Sequence, residues 1–387
     1  MKQQRKVLHN LAGLLLILEI LILLGGCGIP MPLETPPSSA ISPRSETRLT
    51  STPEILPYFS PTPGPLAFTS ATLIPPVPSI YQAYLDGNRL FFIAQDWKNT
   101  EPVQLNSVSV YMQDLTTGKT KLLSTSPYGS IGRMCCMSAS PDWLTWLTNK
   151  SNGSGWLVVA KNLMTGQELI LDREEDTGVK TARGPYTSIS GNQFAWVSIR
   201  TMPDGVVKFY LVLTNLATGE KRTLAEATKP ESLVNVDIDG DRVVWSKGSS
   251  TGGVTQSNVY LYDLASGVET QLSDDNQSHQ PVINQDWIAW RQGFQDTGPI
   301  VIHNWRTGER FPLTMEGDFL RMGDGLLLWR TYRTPSAYVY DLRHHTMDSF
   351  DEHFQPPMYI SGRTVVSMTS EDQEPLNNYI VTRTYLP

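Results

Sequence analysis

Short apolar runs alternate with polar residues along most of this chain, and they recur in sets of four. The clearest set covers residues 233–239, 242–247, 257–262 and 268–273. In each run apolar or β-branched side chains occupy every second position, and turn residues bound the run, which predicts four short half-buried strands. The same parts recur elsewhere. Trp146, Trp196, Trp245, Trp290 and Trp329 each end an apolar run five residues after a turn, at spacings of 50, 49, 45 and 39. A second signature, Asp/Asn-Leu-x-Thr-Gly or a variant, follows at 114–118, 162–166, 215–219, 263–267 and 304–308. A four-strand unit repeating at this period is the signature of a propeller blade.

The copies align on the residue five before each tryptophan. Gly87 (with Phe92 in place of tryptophan), Pro141, Gly191, Gly240, Gln285 and Asp324 mark six of them. A seventh starts at Gly362, continues through Val365 and Val366 to a third strand near 379–384, and has no fourth. Residues 66–73 (LAFTSATL) have strand character and precede the first copy. They are expected to supply the missing outer strand, which ties the termini together and removes an open edge. The expected fold is all-β: a seven-bladed propeller of four-stranded antiparallel blades, with six blades as the alternative. The repeat resembles the propellers of the TolB-like group over residues 79–384. The resemblance implies a periplasmic or cell-surface scaffold and is nearly silent on function. The best-known protein of that group carries an α/β domain before its propeller; here that place holds a stretch rich in Pro, Ser and Thr.

The N-terminus reads as a targeting segment over residues 1–26. Lys2, Arg5 and Lys6 precede an apolar stretch, 11–24, that is short for a membrane span and contains Glu19. Leu24-Gly25-Gly26-Cys27 resembles the lipobox of bacterial lipoproteins, which implies a diacylglyceryl (palmitate-type) anchor on the Cys27 thiol. An uncleaved anchor helix is the competing reading. Residues 27–64 are expected to be a disordered tether, since such a composition cannot bury enough apolar surface to fold. Extended at roughly 3.1 Å per residue, it reaches on the order of 100 Å. Residues 65–387 form the propeller. Loss of Lys2, Arg5, Lys6 and Glu19 with the signal takes the formal charge from −7 to −9. That balance argues against nucleic acid and against an anionic lipid surface as partners, and leaves the lipid anchor as the link to a membrane. The expected site is the outer side of the cytoplasmic membrane or the outer membrane, with the chain a monomer.

The predicted strand A–B and C–D turns are short and make one plain face. The B–C loops are read as long and varied, over 95–107, 201–205, 248–256 and 292–298, and they open on the other face. Trp97 and Phe294 lie in them, Tyr332 and Arg333 in the loop of the sixth copy, and these four are the expected binding anchors, unless they fold back on their own blades. The D–A connections are acidic: Glu174, Glu175 and Asp176; Asp274 and Asp275; Glu316 and Asp318; Asp351 and Glu352. They make either a negative rim or ordinary solvated loops.

Asp237, Asp239 and Asp241 invite comparison with paired glycosidase carboxylates or a calcium loop but read better as part of a turn. His344, His345 and His353 lack the converging partners a metal needs, so no metal or cofactor is expected. Cys135 and Cys136 fall near the channel, as two buried thiols or a vicinal disulfide. No nucleophile elbow or phosphate loop stands out. The expected function is non-catalytic binding of an envelope protein or glycan through the loop-rich face. The alternatives are a polysaccharide lyase or glycoside hydrolase at the channel mouth, and a purely structural envelope protein. The enzyme reading requires at least three charged or histidine side chains converging on one funnel.

Overall fold

In the computed structural model the described residues are 62–63, 66–73, 80–98, 104–129, 132–150, 152, 154–178, 186–251, 254–294, 298–331, 336–350, 354–370 and 378–386. Each repeat forms one antiparallel sheet, and the seven sheets stand in a ring. The inner strands are Ile80–Asp86, Gly132–Ala139, Thr187–Ser190, Glu231–Asp239, Ser278–Asn284, Asp318–Gly323 and Phe354–Ser361. Each touches its neighbours in cyclic order, and the seventh returns to the first. The outer strand of blade seven comes from the other end of the chain. Phe68–Leu73 pairs antiparallel with Asn378–Tyr385, from Phe68 opposite Tyr385 to Leu73 opposite Ile380. Seven blades closed by an N-terminal strand is the arrangement the repeat predicts. Thr62–Pro63 adds a fifth, parallel strand to blade six, against Thr346 and Met347. Paired structure therefore starts at Thr62, within the 27–64 stretch expected to be tether. The signal, Cys27 and the rest of the tether lie outside the described residues.

The recurring motifs have local physical reasons. In the C–D turn the Asx side chain accepts the N–H groups two and three residues on: Asp114 from Thr116 and Thr117, Asp263 from Ala265 and Ser266. The glycine that follows takes a left-handed φ, 70° at Gly118 and 72° at Gly267. In blade six His345 holds that conformation instead, at φ 55°, with its Nδ1 2.8 Å from the Tyr340 hydroxyl. The next turn residue ties the C–D turn to the A–B turn of its own blade, as Leu264 N–H does to the Asp241 carbonyl at 2.8 Å.

The repeat tryptophans fill the spaces between blades. Trp245 is packed among Val197, Leu211 and Leu233, in the core joining blades three and four. Trp329 does the same with Ile300 and Leu313 between blades five and six. Trp146, Trp196 and Trp290 are likewise buried, each in a core shared with the preceding blade.

Two details depart from the sequence reading. Much of what reads as B–C loop is strand: Arg89–Lys98 pairs with Gln104–Asp114, and Arg242–Thr251 with Val254–Asp263. The second and third strands keep pairing past the body of the blade, because the polar residues there still satisfy each other's backbone groups. The connection from blade five to blade six is a single residue, Gly317. A Cβ there would stand 2.3 Å from Trp329 Cδ1 and 2.8 Å from Ile300 Cδ1. Gly317→Ala should therefore cost about 1–3 kcal/mol through overpacking, measured by denaturant unfolding; an unchanged midpoint would show that the core yields freely there.

His303 gives a pH prediction. Burial, with Arg310 beside it, lowers its pKa to about 4. The unfolded chain takes up that proton near pH 6.5. Between these values the unfolded state binds more protons, so stability is full above about pH 6.5 and falls as pH drops toward about 4. His303→Gln should flatten this acid-side decline by about 1–2 kcal/mol, allowing for partial exposure. Parallel pH–stability curves for the two proteins would assign the decline elsewhere.

Candidate functional site

The inner strands carry an aligned column of residues, three before each A–B turn: Tyr84, Ser138, Ser188, Asp237, Val282, Arg321 and Tyr359. The flanking Ile189, Ile238, Ile283 and Ile360 are buried in cores between blades, and within the column Val282 and Tyr359 pack in the cores on the opposite sides of their blades. Its members meet around the ring. The Tyr84 and Tyr359 rings stand edge to face at 5.6 Å. The Tyr84 hydroxyl reaches the Ala139 carbonyl at 3.4 Å. The Arg321 guanidinium lies 5.8 Å from the Tyr359 ring. Arg321 belongs to blade six, yet its charge acts on Cys136 of blade two, Asp237 of blade four and Tyr359 of blade seven. A side chain felt on three separate blades points to the middle of the ring.

Asp237 pins three blades together. It accepts Ser188 Oγ–H from blade three at 2.7 Å and Ile283 N–H from blade five at 2.9 Å, with Ile238 N–H from its own strand at 3.0 Å. Burial pushes its pKa up, against those hydrogen bonds and the pull of Arg321. Tyr84 is pushed up to about 12, by burial first and then by Asp86 and Asp237. Burial also raises Tyr359. At neutral pH both phenols are protonated. Asp239 accepts the Gln285 N–H of blade five and adds a second clamp near the turn face. These aspartates therefore serve as ties between blades, beyond the turn role read from sequence.

Nearer the loop-rich end the inner strands bulge. The position five before the turn has a left-handed φ at Cys136 (58°), Asn235 (54°), Gln280 (55°) and Phe319 (55°), each at a shift of register against the second strand. Tyr186 occupies the same position in blade three, and Tyr81 lies one residue earlier in blade one. Tyr81, Tyr186 and Phe319 are 45%, 42% and 43% exposed. Arg330 covers the Phe319 ring at 4.1 Å, and Arg133 acts on Tyr81. The loop-rich end of the channel thus carries aromatic faces, amides and arginines. Cys135 and Cys136 are free thiols there, open to solvent yet closely surrounded by the ring.

Trp97 sits at the far end of the blade-one hairpin, opposite Leu105. Phe294 is half-buried and stacks on His279 of its own blade at 4.8 Å. Tyr332 and Arg333 lie outside the described residues. The acidic rim is also less than the sequence suggests. Asp318 is buried in an ion pair with Arg291 at 2.9 Å. Arg173 pairs with Glu175 and Asp176 at 3.1 and 3.3 Å. Asp275 accepts Ser278 Oγ–H and a Gln292 amide N–H. Asp351, Glu352 and His353 are outside the described residues. Among the described residues no three metal-ligating side chains converge, and no helix is long and apolar enough to cross a membrane. The column was legible in sequence: once copies are aligned, the residue three before the turn reads Tyr, Ser, Ser, Asp, Val, Arg, Tyr.

No protein-family model matches the sequence, and no curated protein is similar to it. Solved structures are similar in fold. The β-propeller domain of the Trilobed protease from Pyrococcus furiosus aligns at TM-score 0.56 and 9% identity, covering 80% of this chain and 93% of that one. An oligogalacturonate lyase from Vibrio parahaemolyticus aligns at 0.52 and 12%, covering 84% and 99%. A prolyl endopeptidase aligns at 0.57 and 12%, covering 78% of this chain and 46% of that larger one. At these identities the likeness shows the fold: this chain is a seven-bladed β-propeller.

Proposed function

We propose that this chain is a lipid-anchored propeller displayed outside the cytoplasmic membrane, which binds an envelope protein or glycan at its loop-rich end without chemistry of its own. The resemblance of the repeat to TolB-like propellers belongs to this reading. The observation that carries it is the set of exposed aromatics Tyr81, Tyr186 and Phe319 around the channel, beside Asn235 and Gln280. Aromatic faces offer large contact area for few rotatable bonds, and amides add donors and acceptors. Asp237, the carboxylate of the aligned column, is committed to hydrogen bonds between blades. Arg321 is the other charged member of that column.

The test is binding of the purified chain to a glycan array and to solubilised envelope proteins. Alanine at two of Tyr81, Tyr186 and Phe319 should weaken the captured partner about tenfold or more. Silent substitutions, with loss of binding on changing Lys119, Glu220 or Arg242 at the turn face, would move the site to the opposite end. Substitution of Trp97 or Phe294 tests the loop anchors in the same assay. Turnover of a polysaccharide by the purified chain would favour the lyase or hydrolase reading.

The anchor has its own test. Cys27→Ser should leave an unlipidated precursor that moves to the aqueous phase in detergent partitioning. Unchanged partitioning would remove lipidation from the proposal.

A further inference from the structure

Cys135 and Cys136 are adjacent on the inner strand of blade two. In a regular strand adjacent side chains point to opposite faces. Here the register shifts between Cys135 and Ser138, Cys136 turns left-handed at φ 58°, and the two Sγ atoms come within 2.8 Å. Both residues are unbonded and exposed. The bulge does not depend on cysteine: Asn235, Gln280 and Phe319 hold the same conformation at the same position of blades four, five and six. The ring imposes it, and the thiols meet as a consequence.

We propose that Cys135–Cys136 is a reversible oxidation site, which reacts with a small-molecule disulfide entering the channel and closes to a vicinal disulfide. The charge of Arg321 gives the two sulfurs different roles. Either sulfur can donate across the 2.8 Å contact; with Cys135 as donor the Cys136 thiolate is favoured, and the positive charge of Arg321 lowers Cys136 further, while the same hydrogen bond, then burial, holds Cys135 protonated. Cys136 thiolate attacks one sulfur of R–S–S–R. That bond breaks, and the departing RS⁻ takes up a proton equivalent to the one Cys136 released. Cys135 then gives up its proton and attacks Cys136 Sγ. The second RS⁻ leaves with the electron pair of the mixed disulfide and is protonated in turn. Two protein thiols are oxidised, and one external disulfide is reduced to two thiols.

Reversibility follows from adjacency. Neighbouring Cα atoms are about 3.8 Å apart across a trans peptide, shorter than the roughly 4.4–6.8 Å usual for a disulfide. A bridge under that constraint belongs to the labile, regulatory class rather than the structural one.

The experiment treats the purified full chain with oxidised glutathione at graded ratios to the reduced form. Free thiols are then alkylated, and the tryptic peptide spanning 134–150 is weighed. The expected product is that peptide two hydrogens light, with neither alkyl group nor glutathione. Cys135→Ser should retain glutathione on Cys136, and Cys136→Ser should slow reaction at this peptide about tenfold or more. Arg321→Gln should slow the first step severalfold near neutral pH, and Arg321→Lys should restore most of it. In guanidinium the bulge is lost, and closure should fall about tenfold while mixed adducts accumulate. Two alkyl groups or two glutathiones on the native peptide at full oxidant would overturn the proposal. Closure equally fast in guanidinium would also overturn it, because the fold would then contribute nothing.

Discussion

A chain beginning at Ile74 will melt far below one beginning at Thr62, and it will aggregate. The shorter chain loses Phe68–Leu73, so Asn378–Tyr385 becomes an open edge. Six residues of antiparallel pairing disappear, at roughly 1 kcal/mol for each hydrogen bond lost, so the cost is on the order of 5 kcal/mol. Side-chain contacts go with it. The Phe68 ring lies 5.6 Å from Tyr385 and 5.0 Å from the Arg383 guanidinium. Leu73 and Leu66 pack against the cores on the two sides of blade seven. An unpaired strand with these faces is a template for association. Thermal melts and size-exclusion profiles of the two chains decide the matter. Equal melting would mean that the ring holds without its N-terminal strand.

Trp245→Ala should lose about 3–5 kcal/mol, the range for truncating a buried tryptophan. Its side chain is fully buried and stacks on Tyr260 at 5.8 Å and 17°. The cavity opens between two blades, and neither sheet can collapse into it without moving the inner strands that line the channel. Trp329, stacked on Tyr338 at 5.5 Å, should behave alike. Blade seven has Ser367 at the corresponding position, also buried, so the ring tolerates a small residue where it closes. A Trp245→Ala midpoint within about 1 kcal/mol of the parent would mean that the indole is not what joins blades three and four.

The tryptophans, the Asx turns and the missing fourth strand could all be read in the sequence, because each follows from local patterning or turn chemistry. The bulges could not. Their left-handed residues are Cys136, Asn235, Gln280 and Phe319, none a glycine, and the conformation is set by crowding of seven strands around one axis. Charge was misleading for the same reason. Asp318 looks like one more acidic loop residue, but the one-residue link at Gly317 carries it straight into the core beside Arg291. Composition marked the B–C loops as long and aromatic, whereas the exposed aromatics nearest the axis belong to the inner strands, where sequence alone suggests burial.

The closing strand also sets the order in which this protein can fold. Thr382 Oγ1–H meets the Ala71 carbonyl across 311 residues of chain. At synthesis rates of about 5–20 residues per second, Phe68–Leu73 waits roughly 15–60 s for its partner to emerge. Six blades can form from local hairpins in that time, while the seventh stays incomplete until the last strand is made. High contact order of this kind slows the final step without adding much to its equilibrium cost, since loop-closure entropy grows only logarithmically with length. The unfinished ring, with one waiting strand and one bare edge, is the species most open to chaperones, to proteases and to strand exchange with a second copy.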